Sequence, residues 1–199
     1  MQSVEDKIEK SIKAKPKGSL FFPNDFQSFG SDEAIRKALQ RLKEKEIIKS
    51  VAHGIYVRPI VDEFIGEVMP TAEEVVKAIA RRDKIKLIPT GTYSLHALGL
   101  STQIPLNLVF LTDGAARVIK IGKRTIKLKN TTPKNLLAKG AISGLVIQAL
   151  KEIGKKQVTE DEEKQFISLL KKENSKILKH DMSLAPQWIK KIFKKAVDE

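Results

Sequence analysis

Between Pro23 and Pro59 the chain reads PNDFQSFGSDEAIRKALQRLKEKEIIKSVAHGIYVRP, and this stretch limits the fold more than any other. Pro23 suits the first turn of a short helix over residues 24–26. Ser28-Phe29-Gly30 reads as a turn, with Gly30 expected at a positive φ. Ser31 is an N-cap, and Asp32 and Glu33 follow it onto the positive end of the next helix. In that helix Ile35, Ala38, Leu39 and Leu42 fall at i, i+3, i+4 and i+7 and form a buried stripe. Arg36, Lys37, Gln40, Arg41 and Lys43 occupy the opposite face. Residues 47–51 and 55–57 read as two strands around the turn Ala52-His53-Gly54. Helix, tight turn, helix and hairpin follow one another in the order of a winged helix-turn-helix, whose second helix enters the DNA major groove. On that reading Ser31, Arg36, Lys37, Gln40 and Arg41 face DNA, because Arg and Gln make bidentate contacts to guanine and adenine edges. Lys43, further along, meets phosphate, and Lys49, His53 and Arg58 position the hairpin on the backbone. Tyr56 is expected to pack inside the hairpin.

The flanking sequence supplies supports and a second body. Ser3 and Asp6 form an S-x-x-D cap for a helix over residues 3–14, with Val4, Ile8 and Ile12 on one stripe. Leu20-Phe21-Phe22 is a short extended piece expected to pair with the hairpin. Residues 60–69 read as a linker or an irregular crossing segment. Thr71 and Glu74 open another helix, with Val75, Val76, Ile79 and Ala80 on its apolar face. A strand is expected over residues 84–88, then a turn at Pro89-Thr90-Gly91, then a short helix stopped by Gly99. LNLVFLT (residues 106–112) is nearly all apolar and is expected to be a central strand. Asp113-Gly114 is a turn pair, and residues 117–121 and 124–128 form a hairpin around Gly122-Lys123. A helical stretch begins at residue 133, with Ile142, Leu145, Val146, Ala149 and Leu150 on a buried face. Thr159 and Glu162 cap the next helix, and two short ones follow near residues 176–179 and 186–197, the last docking Trp188, Ile192 and Phe193. The expected fold class is α+β: an N-terminal winged helix-turn-helix over residues 1–60, then a mixed α/β domain with a helical C-terminal segment over residues 61–199.

Charge extends the argument beyond the first sixty residues. The chain has 199 residues and a formal net charge of +13. A surplus of that size favours a polyanionic partner, nucleic acid before membrane. Residues 1–60 carry only +4 of it. No acidic residue lies between Gly114 and Lys151, a span that holds Arg117, Lys120, Lys123, Arg124, Lys127 and Lys129, with Lys134 and Lys139 beyond. Strand alternation puts several of these on one face, which reads equally as a second phosphate- or partner-contacting surface and as a solvated outer face. With no cysteine, disulfide scaffolds, thiolate zinc sites and Cys nucleophiles are excluded. His53, His96 and His180 are too scattered for a metal site. No nucleophile–base pair or carboxylate cluster stands out, so neither cofactor, metal nor enzymatic activity is expected; a nucleic-acid-processing activity in the α/β part is the enzyme alternative. The charged start lacks an apolar core of a signal peptide, and no apolar run reaches the roughly 18 residues of a membrane span. A cytoplasmic protein, monomeric or weakly dimeric, is the expectation.

Several phrases carry a family resemblance. GIYVRP follows an L-x-x-L-x-x-x-x-I-I helix, and further on stands TGTYSLHALGLSTQIPLNLVFLTDGAARVIKIGKRTIKL. Together they resemble AbiEi-type antitoxins of type IV toxin–antitoxin systems, over residues 1–59 and about 70–150. ALGLSTQIP, LTDG and the I-x-I-G-x-R hairpin are the more specific parts. The resemblance implies a winged helix that binds double-stranded DNA at repeats in its own promoter and represses it. It also implies a C-terminal domain that counteracts a nucleotidyltransferase-like toxin without a stable complex. It carries over no catalytic residue. The alternatives are a winged-helix protein-interaction module and a stand-alone regulator with no toxin partner.

Overall fold

The computed structural model describes residues 2–103 and 105–198. The chain is mixed α+β and ends in a helical segment. It divides into two compact units, Met1–Arg82 with Ile119–Gly122, and Asp83–Val118 with Lys123–Glu199.

The first unit begins with α1 (Val4–Lys13), whose Ser3 Oγ accepts from Asp6 N at 3.1 Å while Asp6 Oδ2 accepts from Ser3 N at 3.0 Å. These reciprocal bonds satisfy two backbone donors that a helix start leaves over. The short strand β1 (Leu20–Phe21) leads into a 3-10 helix, Pro23–Phe29, and then α2 (Asp32–Glu44). β2 (Lys49–Ala52) and β3 (Ile55–Val57) form the antiparallel hairpin, and β1 pairs with β3, Leu20 opposite Val57 and Phe21 opposite Tyr56. Ile8, Ile12, Phe21, Phe26, Leu39 and Leu42 are at most 1% exposed and form one core. Each such side chain contributes about 1.5–3 kcal/mol by leaving water. The expected stripe Ile35, Ala38, Leu39, Leu42 is all buried, and Tyr56 packs against this core.

Two expectations for this unit fail, each for a physical reason. Gly30 has φ 171°, which is extended backbone rather than a left-handed turn. The position excludes a side chain for another reason: a Cβ there would come within 2.8 Å of Val4 Cγ2 on α1. Residues 60–69 are not a linker. They form a second hairpin, β4 (Ile60–Asp62) and β5 (Gly66–Val68). Asp62 Oδ1 accepts from Phe64 N at 2.9 Å and Ile65 N at 3.1 Å, and Gly66 takes φ 76°. The aspartate closes the turn that the apolar pattern does not announce. α3 (Ala72–Asp83) follows, opened by the Thr71–Glu74 box, and its Arg82 guanidinium sits 4.2 Å from the Phe22 ring centre.

The second unit holds a four-stranded sheet in the order β6-β7-β9-β8. β6 (Leu87–Thr90) is antiparallel to β7 (Asn107–Thr112), and β7 is parallel to β9 (Arg124–Asn130). β8 (Arg117–Ile121) is the other outer strand. The LNLVFLT run is central as expected. Leu108, Phe110 and Thr112 are buried, and across the parallel pair Leu108 stands opposite Ile126 and Phe110 opposite Leu128. The strand expected at residues 84–88 is displaced: it continues through Pro89, which was expected to turn the chain. Proline is tolerated because β6 has a neighbour on one side only. α4 (Thr92–Ala97) ends before Gly99, at φ 73°, as expected. A 3-10 turn over Pro133–Leu136 follows β9, and then come α5 (Ala141–Ile153), α6 (Glu160–Leu170), α7 (Ser175–Leu184) and α8 (Gln187–Asp198). Val146 and Leu150 of α5 pack in one cluster with Phe166, Leu178, Ile189 and Phe193 of the other three helices.

The start of α5 is completed from elsewhere in the chain. Its N-cap is Gly140, which has no side chain to accept a hydrogen bond. The buried Asp181 of α7 accepts from Lys139 N at 2.9 Å, Gly140 N at 2.8 Å and Ser143 Oγ at 2.6 Å. Glu173 Oε2 accepts from Ile142 N at 3.0 Å and Ser143 N at 3.2 Å. Two carboxylates thus occupy the positive end of the most buried helix. A Cβ on Gly140 would lie 2.4 Å from Glu173 Oε2, so glycine is required for the approach. Burial pushes the Asp181 carboxyl up, but hydrogen bonds from Ser143, Lys139 N, His180 and Gly140 N together hold it below its ordinary value. A carboxylate held down in this way stabilises the fold above its unfolded pKa of about 3.9, and that contribution is lost as pH falls through the lower folded value. Asp181→Ala is expected to cost about 3 kcal/mol at neutral pH in urea unfolding. The same substitution is expected to flatten the acid limb of the stability–pH curve, and an unchanged acid limb would show that the cap is not a source of stability.

Candidate nucleic-acid interface

The residues expected to face DNA sit on the outer side of α2. Ser31, Arg36, Lys37, Gln40, Arg41 and Lys43 are all exposed. Ser31 Oγ is engaged as the N-cap, accepting from Ala34 N at 3.3 Å. Arg36 Nε donates to Asp32 O at 3.2 Å, Lys37 Nζ lies 2.8 Å from Glu33, and Gln40 Nε2 donates to Glu44 Oε1 at 3.1 Å. Arg41 and Lys45 both reach Glu5 on α1, at 3.3 and 2.6 Å. The Lys45 ammonium beside Glu5 holds its carboxyl below the usual range, with Arg41 adding to the effect. Pairs on an exposed surface are worth about 0–1 kcal/mol each, so phosphate or base edges can replace them.

The sequence reading assigned Glu33 to the helix start alone and passed over Glu44. Both are exposed on the outward side of α2, one pairing with Lys37 and the other with Gln40. Their spacing was the available signal, since Glu33 lies four residues before Lys37 and Glu44 four after Gln40. The face is therefore mixed in charge rather than uniformly basic.

The three residues expected on the hairpin divide. His53 is exposed at the β2–β3 turn, beside Gly54 at φ 67°. Lys49 is half-buried between Glu67 at 3.0 Å and Glu46 at 3.1 Å, and these carboxylates, Glu67 first, raise its pKa. Arg58 points its guanidinium at the end of α1, donating to Lys13 O at 2.9 Å and to Lys15 O. A cation there satisfies carbonyls that the helix end leaves over.

The second basic group divides as well. Lys120, Lys123, Lys127 and Lys129 are exposed, while Arg117 and Arg124 are half-buried. Arg117 forms an ion pair with Asp83, and its Nε is buried with no hydrogen-bond partner. Lys127 and Lys129 share a face of β9, in register with Val109 and Leu111 of β7. This face of the sheet thus sets half-buried Val109 and Leu111 beside exposed Lys127 and Lys129.

The profile of DUF6088, described as a family of unknown function, matches residues 7–178. The chain belongs to the DUF6088 family. A comparison with curated proteins found no match. The matched region holds α2, both hairpins of the first unit and the whole sheet of the second; α8 lies beyond it. Within the ALGLSTQIP phrase, Ile104 lies outside the described residues. Among the described residues no cluster of His, Asp or Glu has the makings of a metal site, and no helix is long and apolar enough to cross a membrane.

The division of the hairpin residues is directly measurable. Arg58→Ala is expected to destabilise this DUF6088 chain by about 2 kcal/mol in urea unfolding, since two charge-assisted bonds to helix-end carbonyls are lost. His53→Ala is expected to leave the unfolding midpoint unchanged. Equal midpoints for Arg58→Ala and wild type would show that the guanidinium does not hold α1.

Proposed function

We propose that this chain is a DNA-binding transcriptional repressor of the antitoxin kind. Its N-terminal unit acts as a winged helix-turn-helix: α2 enters the major groove, and the β2–β3 hairpin is the wing. The reading rests on one observation above others. A helix fixed by a buried apolar stripe turns Arg36, Lys37, Gln40, Arg41 and Lys43 outward, just before an antiparallel hairpin. In this reading Arg36 and Gln40 read bases, and Lys37, Arg41, Lys43 and His53 meet phosphate. Lys49 and Arg58 support the wing from within. The antitoxin role draws on the resemblance of GIYVRP, ALGLSTQIP and LTDG to AbiEi-type proteins. The protein then binds repeats in its own promoter in the cytoplasm and counteracts a nucleotidyltransferase-like toxin without a stable complex.

A mobility-shift titration against the chain's own upstream DNA tests this. Arg36→Ala and Gln40→Ala are each expected to lower the preference for that fragment over random DNA by about 5- to 150-fold, equivalent to about 1–3 kcal/mol. Lys37→Ala is expected to weaken both fragments alike and to reduce the salt dependence. Wild-type affinity in both base-reading variants would remove α2 from the interface. A second reading, a winged helix that docks a protein, is favoured by Glu33 and Glu44 on the same outward side. It predicts equally weak binding to promoter and random DNA, abolished by salt. Co-expression with the neighbouring gene product, read as restored growth, tests the antitoxin role separately from DNA binding.

A further inference from the structure

The β4–β5 hairpin is chemically unlike the rest of the chain. Phe64 is 93% exposed, Ile65 75% and Val61 62%. Between Pro59 and Val76 there are five acidic residues and no lysine or arginine, in a chain of net charge +13. The apolar tip is not a loose loop. Asp62 closes its turn with two backbone hydrogen bonds, and Lys49–Glu67 ties its stem to β2. Folded chains seldom hold three large apolar side chains out on a fixed turn unless the turn has a partner.

The charge around the tip restricts that partner. Asp62, Glu63 and Glu67 repel both DNA phosphate and anionic lipid, so the partner must offer apolar surface edged with cations. The chain carries such a surface on its own sheet. Val109 and Leu111 of β7 stand beside Lys127 and Lys129 of β9, and the adjoining strand β8 adds Val118, which is 58% exposed. The hairpin tip is exposed in the single chain; on the sheet face Lys127 and Lys129 are exposed, and Val109 and Leu111 are half-buried. We infer that the β4–β5 hairpin of one copy docks on the open β7–β9 sheet face of a second copy. Phe64 and Ile65 cover the Val109–Leu111 strip, and the acidic residues of the hairpin meet the lysines. Exchanged reciprocally, the contact forms twice about a two-fold axis and closes into a dimer. Each contact is small, so the dimer is weak and salt-sensitive. The inference does not depend on the DNA-binding reading.

Sedimentation velocity of the full chain, from low to high micromolar concentration and at low and high salt, tests it. The wild type is expected to form a dimer at low salt that dissociates as salt is added. Phe64→Ser with Ile65→Ser is expected to raise the dissociation constant by about tenfold or more, with the circular dichroism melt unchanged because both side chains are exposed. Lys127→Glu with Lys129→Glu is expected to do the same. Adding Glu63→Lys to Lys127→Glu is expected to recover part of the loss, as a charge exchange across one contact requires. A wild type that stays monomeric overturns the inference. So does a dimer indifferent to the tip substitutions, and so does a tip-dependent dimer that ignores the lysine reversals.

Discussion

The second unit depends on how α5 begins. Its first backbone N–H groups lie in largely part-buried surroundings, and its N-cap glycine has no side chain to accept from them. Asp181 and Glu173 provide the acceptors, from a region 30 to 42 residues further along the chain. An unpaired buried donor costs about 1–3 kcal/mol, so without them the helix at the centre of the helical layer has no stable start. Because Asp181 belongs to α7 and Glu173 lies just before it, the same bonds fix where α7 sits against α5. The apolar cluster of Val146, Leu150, Phe166 and Phe193 supplies bulk stability, while the carboxylates supply register.

Much of the architecture was legible because it rests on local chemistry. The Ser3–Asp6, Thr71–Glu74 and Thr159–Glu162 boxes each close a helix start within four residues, and all three are formed. The stripe of α2 and the apolar run of β7 report burial directly. What could not be read depends on residues far apart in sequence. Gly30 faces Val4 across the packed start of the first unit, a distance constraint that resembles a turn signal in one dimension. Pro89 stays in its strand because β6 lies at an edge, which only the strand order reveals. The hairpin at 60–69 turns through one aspartate side chain and a positive-φ glycine, while its apolar residues point outward and break the alternation that marks a half-buried strand.

The candidate interface shows the same limit. Exposure of the α2 face followed from helical period, since Arg36, Lys37, Gln40 and Arg41 stand opposite the buried stripe. Their partners did not follow. Glu5 reaches Arg41 and Lys45 from another helix, and Arg58 is drawn to the end of α1, because a sequence count of charges does not say which cations the fold uses itself. Arg117 and Lys49 repeat the lesson: each is read from the sequence as a candidate contact to a partner, and each is engaged by a carboxylate. The cations left outward stand on α2 and on β8–β9, and also on α1, α7 and α8.

The strand order of the second unit has a consequence for how that sheet can be approached. Its outer strands are β6, which contains Pro89, and β8, which carries Arg117 and Lys120. Proline removes a backbone donor, and cations along a rim discourage another strand from pairing there. The exposed Lys120 of β8 thus works against strand pairing at that border whatever else it contacts.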